Sequence, residues 1–319
     1  MSSIDIPSWA WWALGAVLVA CLAIDLGAHR HGKKDSKRAA IYWSIGWIAV
    51  ALAFNVGVFL LLGRQAGEEY LAAYLLEKSL SVDNLFVFLI IFNQLAISQE
   101  YQRRVLTWGI LGALVTRGIF IFVGAAAVAR WHWVLYIFGG ILIIVGLKLL
   151  KTKDENEESK VLPFLERHLR YTNKVSGSHF FVVEAGRRVA TPLLLALLAV
   201  EITDVIFAVD SIPAAFAVTR EPFIIYSSNI FAILGLRSLY LVLAGTISGL
   251  KYLHFGLAAV LVFAGAKMLT AQWFHLPSWA SLLVIIGCIG TSVVASLIHR
   301  RRHPEPPSPA AGSGRPAQV

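Results

Sequence analysis

Residues 201–213 read EITDVIFAVDSIP: three carboxylates, Glu201, Asp204 and Asp210, set in an otherwise apolar run. Residues 74–87 read YLLEKSLSVDNLFV, where Glu77 and Asp83 repeat the six-residue spacing of Asp204 and Asp210. Both stretches are hydrophobic enough to enter a bilayer, yet an ionised carboxylate at that depth costs a few kcal/mol. The acids therefore need partners, and their number and placement decide how the chain is read.

The surroundings are those of a membrane protein. Hydrophobic residues make up 57% of the 319 and charged residues 15%, well under the charge of about 25% that soluble domains carry. Mean hydropathy is +0.69. Nine segments are long enough to cross about 30 Å of hydrocarbon. They run over 8–26, 40–62, 69–93, 105–127, 132–150, 190–217, 223–246, 252–270 and 279–298. The expected fold class is an all-α polytopic membrane protein of about nine helices. The start, MSSIDIPSWAWW, has no basic n-region and no small-residue cleavage site, so its apolar segment is expected to stay as a helix.

Alternate loops differ in basic content. Segments 27–38, 94–104 and 151–188, the turn at Lys251 and Arg300–Arg302 hold 19 Lys and Arg, whereas the opposite set holds only Arg64, Arg130 and Arg220. The positive-inside rule places the first set in the cytoplasm, with the N-terminus outside and the C-terminus inside. Residues 1–300 form one transmembrane domain that includes the loop 151–188. Within that loop, KTKDENEESK reads as a solvated charge run, and HFFVVEAGRRVATP has the pattern of a hairpin around Glu184-Ala185-Gly186. The Pro/Ala/Gly/Ser-rich residues 301–319 are expected to be a disordered cytoplasmic tail. Cys21 and Cys288 lie in the first and last apolar segments and read as packing residues rather than a disulfide.

The spans repeat. Glu77-x5-Asp83-Asn84 aligns with Asp204-x5-Asp210-Ser211. LGALVTRGIFIFVG, with Arg117, aligns with FAILGLRSLYLVLAG, with Arg237, and GLKLL at 146–150 aligns with GAKML at 265–269 through Lys148 and Lys267. Spans 3–5 thus resemble spans 6–8. Three spans per unit is an odd number, so the two units must be inverted relative to each other. Secondary transporters use such repeats and bind substrate between them near the midplane.

The acids fit that placement. Glu201 and Asp204, three apart, share a helix face. Asp204 and Asp210, six apart, fall about 240° round a straight helix. They converge only if the helix opens, and Pro213, just beyond Asp210, is the expected break. Arg117, Arg237 and Lys78 are the counter-charges within reach of these five acids, which leaves an acid excess of two. A bound cation or protons would fill it. The ligand set is oxygen only: Glu77, Asp83, Asn84, Glu201, Asp204 and Asp210, with serine and threonine hydroxyls between them. Such a set suits Mg²⁺, Ca²⁺ or Mn²⁺ and disfavours Cu(I) and Zn²⁺. The spacing does not say whether the acids form one site or two.

No Walker loop is present, so drive by ATP within this chain is not expected. Moving a divalent cation out against 100 mV costs about 4.6 kcal/mol, twice the single-charge value. Inward protons can supply that, because clustered carboxylates raise one another's pKa and release protons when a metal binds. An intramembrane hydrolase is the enzymatic alternative, but no Gly-x-Gly-Asp pattern accompanies the aspartates.

EKSLSVDNLFVF, EITDVIFAVDSIPAAFAV and SNIFAILGLRSLYLVLAG closely resemble the TerC family, its Alx-like bacterial members in particular. The resemblance runs from the first span through Arg300. It implies a LysE-like exporter of the bacterial cytoplasmic membrane, with Mn²⁺ as transported substrate and no tightly bound cofactor. Metal-site residues implied by the motifs are Glu77, Asp83, Glu201, Asp204 and Asp210, with Asn84 nearby. Partners are then a divalent cation, protons and the lipid bilayer, with no nucleic acid; a homo-oligomer or a secretion-machinery partner is the further association it suggests. Three alternatives stay open: a Ca²⁺/H⁺ exchanger, a tellurite- or stress-resistance protein, and a secretion accessory without its own transport.

Overall fold

The computed structural model describes residues 6–28, 37–151, 161–169, 171–172, 179–184, 187–244, 252–271, 273 and 276–302. The charge run at 152–160, the hairpin tip Ala185-Gly186, the Lys251 turn and residues 303–319 of the expected tail lie outside the described residues.

Eleven helices and one hairpin make up the described chain. In order they are α1 (Ser8–Ala28), α2 (Lys37–Leu62), α3 (Arg64–Gln94), α4 (Gln99–Arg130), α5 (Val134–Lys151), α6 (Val161–His168), β1 (Phe181–Glu184), β2 (Arg187–Ala190), α7 (Pro192–Val218), α8 (Pro222–Ile233), α9 (Leu236–Ala244), α10 (Leu253–Thr270) and α11 (Ser278–Arg302). Punctuation residues set the boundaries. Gly63 alone separates α2 from α3, at a φ of 94° that favours glycine. Pro192 and Pro222 open α7 and α8 in the first helical turn, where a missing N–H costs nothing.

Among the described residues, seven segments are long and apolar enough to cross a membrane: Ser8–Asp25, Arg38–Leu62, Gln99–Arg130, Pro192–Val218, Pro222–Val242, Leu253–Thr270 and Ser278–His299. The all-α polytopic class therefore holds. Two of the nine expected spans do not meet that test. The α3 helix is 31 residues long, but Arg64, Glu68, Glu69, Glu77, Lys78 and Asp83 make it too charged. The apolar stretch of α5, Val134–Leu150, is slightly short.

The charged helix is the central one. α3 contributes to all three apolar clusters of the bundle, through Ala72 and Leu76, through Tyr70 and Tyr74, and through Leu85 and Phe92. Glu69 and Glu77 are tolerated because protein, not lipid, surrounds them. α2, α7, α8 and α11 pack around α3, and Arg117 of α4 reaches its Glu77.

The α5 and α10 helices touch backbone to backbone. A Cβ on Gly265 would lie 2.6 Å from the Gly139 carbonyl oxygen and 2.8 Å from the Ile143 side chain. A Cβ on Gly146 would lie 3.0 Å from the Ala258 carbonyl oxygen and 2.8 Å from the Val262 side chain. Only glycine permits approaches this close.

The loop between α5 and α7 folds back onto the bundle. Leu162 and Leu165 on α6, three apart on one face, are buried in the cluster that holds Leu85, Phe88, Leu193 and Val200. β1 and β2 pair antiparallel with Val182 opposite Val189, as the hairpin pattern predicts. The Thr191 hydroxyl donates to the His179 carbonyl at 2.8 Å and fixes the hairpin to the start of α7. Cys21 and Cys288 are free thiols, the first buried and the second half-buried.

Two local expectations change. α7 runs unbroken from Pro192 to Val218 with Pro213 inside it, so the helix does not open there. Pro213 sits five residues from the C-terminal end, where its ring removes one hydrogen bond without stopping the remaining turn. The break falls instead in the expected span 223–246, at Leu234-Gly235. Gly235 has a φ of 82°, and α9 restarts at Leu236. That conformation suits glycine and few other residues.

Candidate functional site

The site is built around one guanidinium. Arg117 of α4 is 2% exposed and lies between α3 and α7. Its Nε donates to Asp204 Oδ2 at 3.1 Å and its Nη2 to Asp204 Oδ1 at 2.7 Å. Its Nη1 meets Glu77 Oε1 in an ion pair. Glu77 is 1% exposed and Asp204 6%. Two buried acids thus share one buried cation, a net charge of −1.

Glycine on α4 makes the approach of α7 feasible. A Cβ on Gly109 would touch Val200 at 3.2 Å, and a Cβ on Gly112 would fall on the Glu201 carboxylate. Glu201, one turn before Asp204, is therefore pressed against α4 and adds a third carboxyl group. The helix spacing predicts this shared face.

A cavity of about 20 Å³ adjoins the pair, lined by Asn84, Arg117 and Asp204 together with Leu85, Val200, Ile233 and Leu236. That is room for one water-sized occupant. Ile233 and Leu236 flank the break between α8 and α9, so the discontinuous segment forms part of the cavity wall.

Oxygen ligands are abundant. The hydroxyls of Ser81, Thr203 and Ser211 are buried with no hydrogen-bond partner among the described residues, as is Glu77 Oε2. Ser79, by contrast, bonds the Leu75 carbonyl at 2.7 Å in the ordinary helical manner. Buried polar atoms are nearly always paired, so these four suit a hard cation or water. Among the described residues, however, no three His, Cys, Asp or Glu are grouped closely enough to hold a metal ion. Glu77 and Asp204 are instead engaged with Arg117.

Two predicted ligands remain. Asp210 lies on α7 beyond Asp204, half-buried, and has an interaction partner of its own. Asp83 is on α3, one and a half turns past Glu77; its side chain lies outside the described residues.

Two of the three expected counter-charges serve other groups. Lys78 does not pair with Glu77 but donates to the Ala232 carbonyl at 3.1 Å. That carbonyl loses its helical partner where α8 stops, so Lys78 caps the break. Arg237 is likewise engaged elsewhere. It pairs with Asp25 of α1, Nη2 to Oδ2 at 3.2 Å, donates to the Asp25 backbone carbonyl as well, and approaches Thr107 Oγ1 at 3.4 Å.

Two buried acids escaped the sequence reading. Asp25 is 5% exposed, and its signal was a lone acid inside the first apolar segment. Glu69, 3% exposed, accepts from Gln65 Nε2 at 2.8 Å and from Ser278 Oγ at 3.1 Å, tying α3 to α11.

The family model described as "Integral membrane protein TerC family" matches residues 62–304. The chain belongs to the TerC family. It is 50% identical over 298 residues to an uncharacterized membrane protein, STKORF319, of Myxococcus xanthus, covering 92% of this chain and 93% of that one. It is 42% identical over 310 residues to Alx of Escherichia coli (strain K12), covering 92% and 95%; that protein is named provisionally as a membrane-bound redox modulator. Alx of Salmonella typhi is also 42% identical, over 301 residues, covering 89% and 92%. No solved structure matches the chain. The matched residues of this TerC protein take in Glu77, Asp83, Arg117, Glu201, Asp204, Asp210 and Arg237, so every predicted ligand lies within the family region.

Proposed function

We propose that this chain is a secondary transporter of the bacterial cytoplasmic membrane that exports divalent metal cations, Mn²⁺ foremost, in exchange for protons. The carrying observation is the buried Glu77–Arg117–Asp204 group beside a water-sized cavity, in which one guanidinium faces two carboxylates and Glu201 brings a third carboxyl to α4. An acid surplus inside an apolar bundle has to be met by protons or a bound cation. The donors are all oxygen, which favours Mn²⁺, Mg²⁺ or Ca²⁺. The family resemblance puts Mn²⁺ first among these.

In this reading Glu77, Asp204 and Glu201 bind the cation with Asn84 and the free hydroxyls, and Asp83 and Asp210 extend the path. Protons leave these carboxylates as metal enters and return when it departs. Arg117 holds the acids while no substrate does, so one set of groups performs binding and coupling.

The geometry of α5 and α10 supports inverted units. Lys148 aligns with Lys267, which pairs Gly146 with Gly265, Ile143 with Val262 and Gly139 with Ala258. Gly146 abuts Val262 and Ala258, while Gly265 abuts Ile143 and Gly139. Each contact is the other with the units exchanged, as a two-fold axis between them requires. Nine spans, with the N-terminus outside and the basic loops inside, complete the arrangement.

The test is flux. Purified protein in liposomes loaded with a Mn²⁺-sensitive dye should carry Mn²⁺ in response to a pH step. Asp204→Asn should stop it without loss of folded protein. Unchanged flux in Asp204→Asn and Glu77→Gln would remove these acids from the pathway.

A further inference from the structure

Resting on that transporter reading, we infer that Arg237 and Arg117 serve the Glu77–Asp204 pair by turns, with Asp25 of α1 as the positioning acid that parks Arg237 in the conformation seen here. The two arginines occupy matched positions: Arg117 in LGALVTRGIFIFVG and Arg237 in FAILGLRSLYLVLAG. Their acids are matched too, since Glu77 aligns with Asp204. A two-fold relation between the units would bring Arg237 to these acids as it brings Arg117.

The chain departs from that symmetry just before Arg237. Gly235, with its φ of 82°, interrupts the second unit two residues before Arg237. Val115, the matched residue, lies inside unbroken α4 two residues before Arg117. The break turns α9, and Arg237 faces Asp25 instead. Arg237 is 4% exposed there, and a buried cation needs a buried anion. Asp25 supplies it from a helix outside both repeats.

Inverted units exchange conformations when access alternates. The exchanged state has the second unit straightened at Gly235, so Arg237 enters the acid pair as Arg117 leaves. Little travel is needed, because Leu236, next to Arg237, already lines the cavity beside Arg117 and Asp204. The acids are thereby never left without a cation or proton while the substrate is away.

Side-specific thiol labelling tests this without metal. Ala113 lines the cavity. In a full-length Cys21→Ala/Cys288→Ala chain in vesicles, Ala113→Cys is labelled with a membrane-impermeant maleimide from each side in turn. Asp25→Asn should shift the ratio of labelling from the two sides by about tenfold or more, because loss of one member of a buried pair strongly biases the state that contains it. Asp25→Glu should keep the parental ratio, and Asp25→Asn/Arg237→Gln should return towards it. A lowered melting temperature with an unchanged ratio in Asp25→Asn would make the pair merely structural and overturn the inference. Should Asp25→Asn not fold, Arg237→Gln decides alone: labelling from one side only is expected, and labelling from both sides overturns the exchange. Absent Mn²⁺ flux in the parent would sink the transporter reading yet leave the labelling result standing.

Discussion

Arg117 and Asp204 form a two-pronged pair, Nε to Oδ2 and Nη2 to Oδ1, that joins α4 to α7 across 87 residues of chain. Such a fork fixes a guanidinium against a carboxylate more firmly than a single contact does. With Glu77 on its third nitrogen, Arg117 holds three helices of the bundle by one side chain.

Arg117→Gln therefore strands two buried acids. Breaking a buried pair from one side costs about 3–5 kcal/mol, so thermal unfolding in detergent should drop steeply. Adding Mn²⁺ should restore part of the loss in this variant and shift the parent less, since the metal would replace the missing cation. Arg117→Gln/Asp204→Asn should melt higher than Arg117→Gln alone. Equal melting of all three would show that the fork carries no energy.

Gly112→Ala sets a methyl group onto the Glu201 carboxylate. Overpacking of this kind costs about 1–3 kcal/mol, and here it also displaces a proposed ligand. Flux should fall along with melting temperature. Gly15→Ala is the control: nothing lies within 4 Å of the added atom, and alanine favours helix over glycine by about 1 kcal/mol. It should leave flux unchanged and melting equal or higher.

Gly265→Val tests the α5–α10 contact in the same manner. Its branched side chain would overlap the Gly139 carbonyl and Ile143, neither of which is the free end of a flexible side chain. Separation of the two helices is expected, with a loss above about 2 kcal/mol read by denaturation. A neutral outcome would mean that the helices slide apart freely there.

Much of this was legible in the sequence, for identifiable reasons. Hydropathy and length located the helices, because a bilayer demands long apolar runs. Charge counting found Arg117, since acids in an apolar segment require a cation. The same count assigned Lys78 and Arg237 wrongly. Lys78 answers to a backbone carbonyl freed by a helix break, which no tally of side-chain charge can register. Arg237 answers to Asp25, an acid near the end of an apolar segment, where it reads as interfacial. The break at Gly235 was hidden for a related reason: glycine is common in membrane helices, whereas Pro213 is a louder signal of the same event. The α3 helix escapes a composition test because its buried Glu77 and Lys78 are met by Arg117 and the Ala232 carbonyl, remote in sequence.

The contrast between Pro213 and Gly235 yields the last prediction. Proline inside a helix ordinarily costs about 3 kcal/mol relative to alanine. Here α7 already runs through Pro213, and the residue is buried among the apolar residues of that end. Pro213→Ala restores a backbone donor but loses ring contacts, so melting should change by less than about 1.5 kcal/mol, the range of well-tolerated core swaps. If the discontinuity that matters is at Gly235, Pro213→Ala should also retain Mn²⁺ flux. Gly235→Ala should do the opposite. A left-handed conformation costs a side chain about 1–2 kcal/mol, and its methyl group would press on the Trp47 ring, 2.8 Å away. The strain would act directly on the wall of the cavity, through Ile233 and Leu236. Loss of flux in Pro213→Ala with flux kept in Gly235→Ala would move the working hinge back to α7.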